Sequence, residues 1–234
     1  MLHMGSTSDA QLLQAVGSEP SPKPGRVDRR ALRRQQTIEE ILDLAAEIMT
    51  EEGVNGLSLT EVARRLGVQP PSIYKYFPSL MAIYDALFMR GQLEHLDVMR
   101  DGMATATPGL AALRAGLDAS GRWALGHPAI AQLLWWRPVP SFEPSPEAFE
   151  PSRAMVQLQR DALADAVAAG ELGRGALDDD AVFIVSVMIA GVIGQAIANE
   201  PGIPWGEGRF SPLFSRLFDL LPTLYPPAPK RRAR

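Results

Sequence analysis

Apolar residues recur through most of this chain at intervals of three and four, the spacing that lines one face of a helix, and the pattern predicts an all-α protein. Ile38, Ile41, Leu42, Ala45, Ile48 and Met49 form the first stripe, in a helix over residues 33–52. Glu39, Glu40, Asp43, Glu47 and Glu51 occupy its other face, which should turn away from any polyanion, and Gly53 ends it. A shorter stripe follows in Leu59, Val62, Ala63 and Leu66. Ser58 and Glu61 open it as a capping box, the serine oxygen accepting from a helix N–H while the glutamate reaches back. Gly67 stops it, since glycine takes a positive φ without a Cβ clash. A second short helix follows, with Pro70 in its first turn, where N–H groups lack partners anyway. Ile73 and Phe77 point inward there, leaving Gln69, Pro71, Ser72, Tyr74, Lys75 and Tyr76 facing out.

Pro78 and Ser79 stop that helix and cap the next, over 80–101. Its apolar positions Ile83, Leu87, Phe88, Leu93, Leu96 and Met99 suit contacts with both the preceding helices and a following core. Tyr84 and the 91–99 stretch read as packing. Helices over 109–126 and 129–136 are separated by His127-Pro128. The segment RPVPSFEPSPEAFEP carries five prolines and is predicted to be a loop. Ordered loops of that length often cover binding sites. A helix over 152–169 presents Met155, Leu158, Ala162, Leu163 and Ala166 on one side, and one over 211–225 presents Leu213, Phe214, Leu217, Phe218 and Leu221. Between them lies the most apolar segment. Residues 181–199 carry no charge and are long enough to cross a bilayer, but they include Ser186, Gly191, Gly194, Gln195 and Asn199. The expectation is burial against a partner helix and no membrane span, with Ser186, Ala190 and Gly194 letting two backbones approach.

Composition narrows the class. Of 234 residues, 46% are hydrophobic and 21% charged, which suits a soluble globular protein of two small domains. The absence of cysteine excludes disulfides and thiolate metal sites and suits a cytoplasmic location. Residues 1–25 lack the pattern of a signal peptide. The net charge is −4, yet Lys23, Arg26, Arg29, Arg30, Arg33 and Arg34 against a lone Asp28 leave a local +5. Such a run neutralises phosphates or is a solvated tail; it is joined to the helical unit that carries the two short helices, which favours the first reading. Asp178, Asp179 and Asp180 read as cap and helix-dipole partners at a helix start, and no metal site is expected.

Two short helices joined by a glycine turn, the second dressed with hydrogen-bonding and cationic side chains, are either a major-groove reader or plain helical packing. Gly67-Val68 followed by Ile73-Tyr74-x-Tyr76-Phe77, after a long amphipathic helix and a Gly-x-x-x-Leu-Ser link, resembles the DNA-binding domain of the tetracycline-repressor (TetR) family. The resemblance covers roughly residues 33–90. It implies a homodimeric transcription regulator: a disordered leader and basic arm over 1–32, a three-helix DNA-binding domain over 33–79, a helical ligand-binding and dimerisation domain over 80–226, and a basic tail over 227–234. The positions that fall on DNA contacts are Arg33, Thr60, Gln69, Pro71, Ser72, Tyr74, Lys75 and Tyr76. Two departures are evident. Leu80 stands where the family often has a phosphate-holding lysine, and Thr60 where tetracycline repressor has a base-reading arginine. The last two helices, over 181–199 and 211–225, correspond to the family's dimer bundle.

Trp123, His127 and Trp135 cluster beside the proline-rich loop, and aromatics with a few polar groups make ligand pockets. Met155 and Gln159, with Phe183 or Met188 facing them, complete the walls in the arrangement the resemblance suggests. The expected partners are a palindromic double-stranded operator, a small, largely apolar organic effector and a second copy of the chain, without a cofactor. No nucleophile elbow, dinucleotide fingerprint, zinc-protease motif or phosphate loop is present, so the chain is not read as an enzyme. The rival readings are a helical small-molecule-binding or interaction protein that does not bind DNA, and a membrane-associated helical protein.

Overall fold

The computed structural model describes residues 29–229, and among these every regular element is helical. The expectations placed on Lys23, Arg26 and the 230–234 tail lie outside the described residues. Helix α1 spans Arg29–Glu52, so the first helix begins four residues before the expected start, and Arg29 and Arg30 belong to it. Ile41, Leu42, Ala45, Ile48 and Met49 are its buried face.

A short 3-10 turn, Val54–Gly56, leads to α2, Leu59–Leu66. Ser58 Oγ accepts from the Glu61 backbone N–H at 3.2 Å, which is half of the expected capping box. The Glu61 carboxylate does not complete it. It binds Arg64 and Arg65 at 2.6 and 2.8 Å, and these guanidiniums, Arg64 foremost, lower its pKa to about 2. Arg65 also reaches Glu51 at 2.7 Å and Glu52 at 3.3 Å, tying α2 to the end of α1. Gly67 sits at φ 70° and closes α2, with the Val68 N–H returning to the Ala63 carbonyl at 3.0 Å. The second short helix is a 3-10 segment, Pro70–Lys75.

Helix α3 runs from Leu80 to Ala104, capped by Ser79 Oγ, which accepts from Ala82 N–H at 3.2 Å. It is the axle of the molecule. At its start the Tyr84 hydroxyl donates to the Val54 carbonyl at 2.7 Å, and Arg90 pairs with Asp43 of α1 at 2.7 Å. Its second half packs on α4, Leu110–Gly126. A Cβ at Gly102 would stand 2.8 Å from that of Ala119 and 2.9 Å from the Ala115 carbonyl oxygen, so the two backbones approach there only because the side chain is absent. Helix α5, Pro128–Trp135, packs on α3, α1 and α4.

The proline-rich segment after α5 is a fastened loop. Asp85 of α3 accepts from the Ser145 N–H at 2.7 Å and from its hydroxyl at 2.8 Å, while Phe142 is buried against Tyr84 and Phe88. Helix α6, Glu150–Ala168, follows with Pro151 in its first turn. Helix α7 spans Asp179–Asn199; Asp178 caps it without a side-chain hydrogen bond, and Asp179 is held by Arg160 at 2.7 Å. Helix α7 is long and apolar enough to cross a membrane, and here it packs on α4, α6 and the following segment.

The single helix expected over 211–225 is broken into α8, Leu213–Phe218, and α9, Leu221–Leu224. In a continuous helix residue 222 would donate to the Phe218 carbonyl. Pro222 has no N–H to give and its ring would strike that oxygen, so a new turn begins instead.

Candidate nucleic-acid interface and interior cavity

The outward face of the first three helical elements carries the expected DNA-contact set. Arg33, Thr60, Gln69, Pro71, Tyr74 and Lys75 are exposed, while Ser72 and Tyr76 are partly covered. Ile73 is fully buried and Phe77 nearly so, and these two side chains fix which face of the 3-10 segment points out. Tyr76 differs from the fully outward placement expected. It packs on the core, and the Arg34 guanidinium lies 5.2 Å from its ring centre. Arg34 also donates to the Lys75 carbonyl at 3.0 Å, so the start of α1 is pinned to the end of the reader segment.

The acidic face of α1 divides. Asp43 is engaged by Arg90, and Glu51 and Glu52 by Arg65. Glu40 is the exception to the expectation that these acids turn away, since it shares a groove with Thr37, Ser72, Lys75 and Tyr76.

A cavity of about 380 Å³ lies between α3, α4, α5, α6 and α7, within the size range of small-molecule sites. Met99, Leu134, Trp135, Phe149, Met155 and Ile193 supply apolar wall. Gln92, His95, Ser120, Ser152, Gln159 and Ser186 supply polar atoms. Among the expected residues, Trp135, Met155 and Gln159 line it; Trp123, His127, Phe183 and Met188 do not.

Each absence has a geometric cause. Trp123 lies one layer behind the wall, its ring stacked between His95 at 5.0 Å and His127 at 5.3 Å. His127 Nδ1 donates to the Trp123 carbonyl at 2.9 Å, which keeps it on the far side of that stack. Met188 is about 200° around α7 from Ser186, so it lines an outer groove with Leu213 and Leu217 instead. Phe183, a turn nearer the start of α7, is exposed. The stripe Ser186, Ala190, Gly194 also turns inward, contrary to expectation. Ser186 and Ala190 line the cavity, and a Cβ at Gly194 would meet Trp136 at 3.2 Å. The outer face of α7 presents Phe183, Ile184, Val187 and Gly191, continued by Leu213, Leu217 and Leu220.

The polar wall was missed at 91–99. Gln92 and His95 are three apart on the same stripe as Phe88, Leu96 and Met99, and polar residues interrupting an apolar stripe were the available signal. His95 shares a 2.9 Å hydrogen bond with Ser120 of α4, and burial pushes its pKa down to about 4, so the imidazole is neutral at neutral pH.

Phe149 links the cavity to the N-terminal helices. It stacks on Phe88 with centroids 6.1 Å apart, Phe88 touches Phe142, and Phe142 touches Tyr84, whose hydroxyl holds the Val54 carbonyl ahead of α2.

Comparison with known proteins places this arrangement. Residues 41–87 match the family described as bacterial regulatory proteins, tetR family. Over 63 residues the chain is 43% identical to the uncharacterized HTH-type transcriptional regulator YobS of Bacillus subtilis, covering 27% of this chain and 33% of that protein. Over 135 residues it is 30% identical to the HTH-type transcriptional repressor DrrR1 of Streptomyces coeruleorubidus, covering 55% and 44%. The matched stretch thus spans between a third and half of the length of these relatives. In fold, it is similar to the crystal structure of the transcriptional regulator FadR of Bacillus subtilis in complex with stearoyl-CoA. The TM-score is 0.64 at 19% identity, over 78% of this chain and 96% of that one. Residues 41–87 thus carry the helix-turn-helix of the tetR family of bacterial regulatory proteins, and the helical body behind them shares its fold with the FadR structure.

Proposed function

We propose that this protein is a ligand-responsive transcriptional regulator that binds a palindromic double-stranded operator as a cytoplasmic homodimer. We read it as a repressor, released when a small, largely apolar organic effector enters the cavity. The observation that carries this reading is α3. One continuous helix holds the helix-turn-helix through Tyr84 and Arg90 and, over the next two to three turns, supplies Gln92, His95 and Met99 to the cavity wall. A shift of that wall on occupancy is passed rigidly to the reader segments.

Two reader segments would enter successive major grooves, about 34–36 Å apart, presented by pairing through the exposed apolar face of α7 and α8. The effector shifts DNA affinity only by its preference between the two spacings. Arg33, Thr60, Gln69, Pro71, Ser72, Tyr74, Lys75 and Tyr76 are the proposed DNA contacts; Trp135, Met155 and Gln159 are proposed effector contacts, joined by Gln92, His95 and Ser152.

Fluorescence anisotropy on DNA from upstream of the chain's own gene tests the reading. Lys75→Ala is expected to weaken binding and to reduce the slope of log affinity against log salt by about 1, the loss of one phosphate contact. An unchanged affinity and slope would remove Lys75 from the interface. Failure of the unaltered protein to discriminate upstream DNA from random duplex would favour the helical binding protein that does not read DNA.

A further inference from the structure

We propose that the cavity selects an uncharged ligand: a mainly apolar molecule carrying a hydrogen-bond donor and acceptor side by side, as in a carboxamide or lactam. The inference rests on reading the cavity as the effector site and specifies what enters it.

Among the described residues, no Asp, Glu, Lys or Arg lines the cavity. Its single titratable side chain, His95, is 7% exposed and already engaged by Ser120. Arg153 lies 5.9 Å over the Phe149 ring but pairs with Glu150, and neither reaches the wall. An ionised ligand would leave water and find no opposite charge inside, a cost far above that of moving a neutral amide.

The polar groups that do face the cavity are incompletely used. Ser152 Oγ is buried and has no hydrogen-bond partner among the described residues. Gln92 is 5% exposed, and its carboxamide bonds to no other described residue. Gln159, 6% exposed, receives only the Ser186 hydroxyl at 3.5 Å, which leaves its NH2 group to donate elsewhere. Buried polar groups in folded proteins are nearly always paired, with protein or with water. Two carboxamides on different helices, α3 and α6, both offer a donor beside an acceptor. The complementary ligand group is neutral and does the same.

The test uses the full-length protein and two size-matched trios: decanamide, decanoate and decylammonium, then 2-naphthamide, 2-naphthoate and 2-naphthylmethylammonium. Binding is read at pH 7.5 by calorimetry and by tryptophan fluorescence, which Trp135 in the wall reports. In at least one trio the amide is expected to bind about tenfold or more tighter than both ions. Gln159→Leu and Gln92→Leu, on separate helices so that a folding defect in one leaves the other informative, are each expected to remove most of that preference. An ion that binds as tightly as its amide overturns the ligand class and leaves the effector site standing. Preference retained in both variants overturns the assignment to the glutamines. No binding by any of the six overturns the class and the site together.

Discussion

His95 shows how one side chain couples packing to pH. Its folded pKa of about 4 lies below the ordinary value of 6.5 because burial disfavours the imidazolium. The unfolded chain therefore binds the proton first, and stability is lost as pH falls from 6.5 towards 4, by up to about 3 kcal/mol in total. Thermal melts between pH 7.5 and 5 are expected to show this decline, and His95→Asn to flatten it; an equal slope in the variant would place the sensitivity elsewhere. Glu40 makes a second residue-scale case. It stands beside Ser72 and Lys75 in the reader groove, where an approaching phosphate meets a like charge. Glu40→Gln is expected to tighten DNA binding by roughly threefold at low salt and by less at high salt, since screening weakens the repulsion. Anisotropy across a salt series checks it.

At the scale of elements, what could be read from the chain depended on whether the controlling interactions were local. Ser58, Gly67 and Ser79 act on their own backbone, so the bounds of α2 and the start of α3 were visible in the spacing. The stripe of α1 was visible for the same reason. The cavity wall was not, because it is set by how α7 is rotated against α6. Periodicity gives a face, not which neighbour that face meets, and Phe183 and Met188 were misplaced for that reason. Pro222 was a local signal, and the break it causes between α8 and α9 was legible but unread. Gly67 itself permits a clean test. A Cβ there would meet nothing within 4 Å, so the cost of Gly67→Ala is backbone conformation alone at φ 70°. Chemical denaturation is expected to show a loss of about 1 kcal/mol, with Gly67→Asn recovering part of it. A neutral Ala substitution would mean that the turn relaxes to negative φ.

For the whole molecule, the exposed apolar face on α7 and α8, extended by Leu224 of α9, is the pairing surface proposed above. Val187, Leu213, Leu217 and Leu224 stand in solvent in the single chain, a concentration of apolar surface that marks an interaction site. A Val187→Glu, Leu217→Glu double variant is expected to be monomeric by analytical ultracentrifugation and to lose most operator affinity while keeping its helical content. Retained dimers would move the pairing surface off this face.

Val187 has a further role. It is 73% exposed, yet it borders both the inner chamber and the outer groove beside Leu213. A second subunit seated on that groove would rest against the rim of the space where the small molecule lodges. Subunit exchange and guest uptake then share one valine, and whatever effect pairing has on guest affinity, the guest has on pairing by the same factor. Dilution alone is accordingly expected to change how tightly a guest is held.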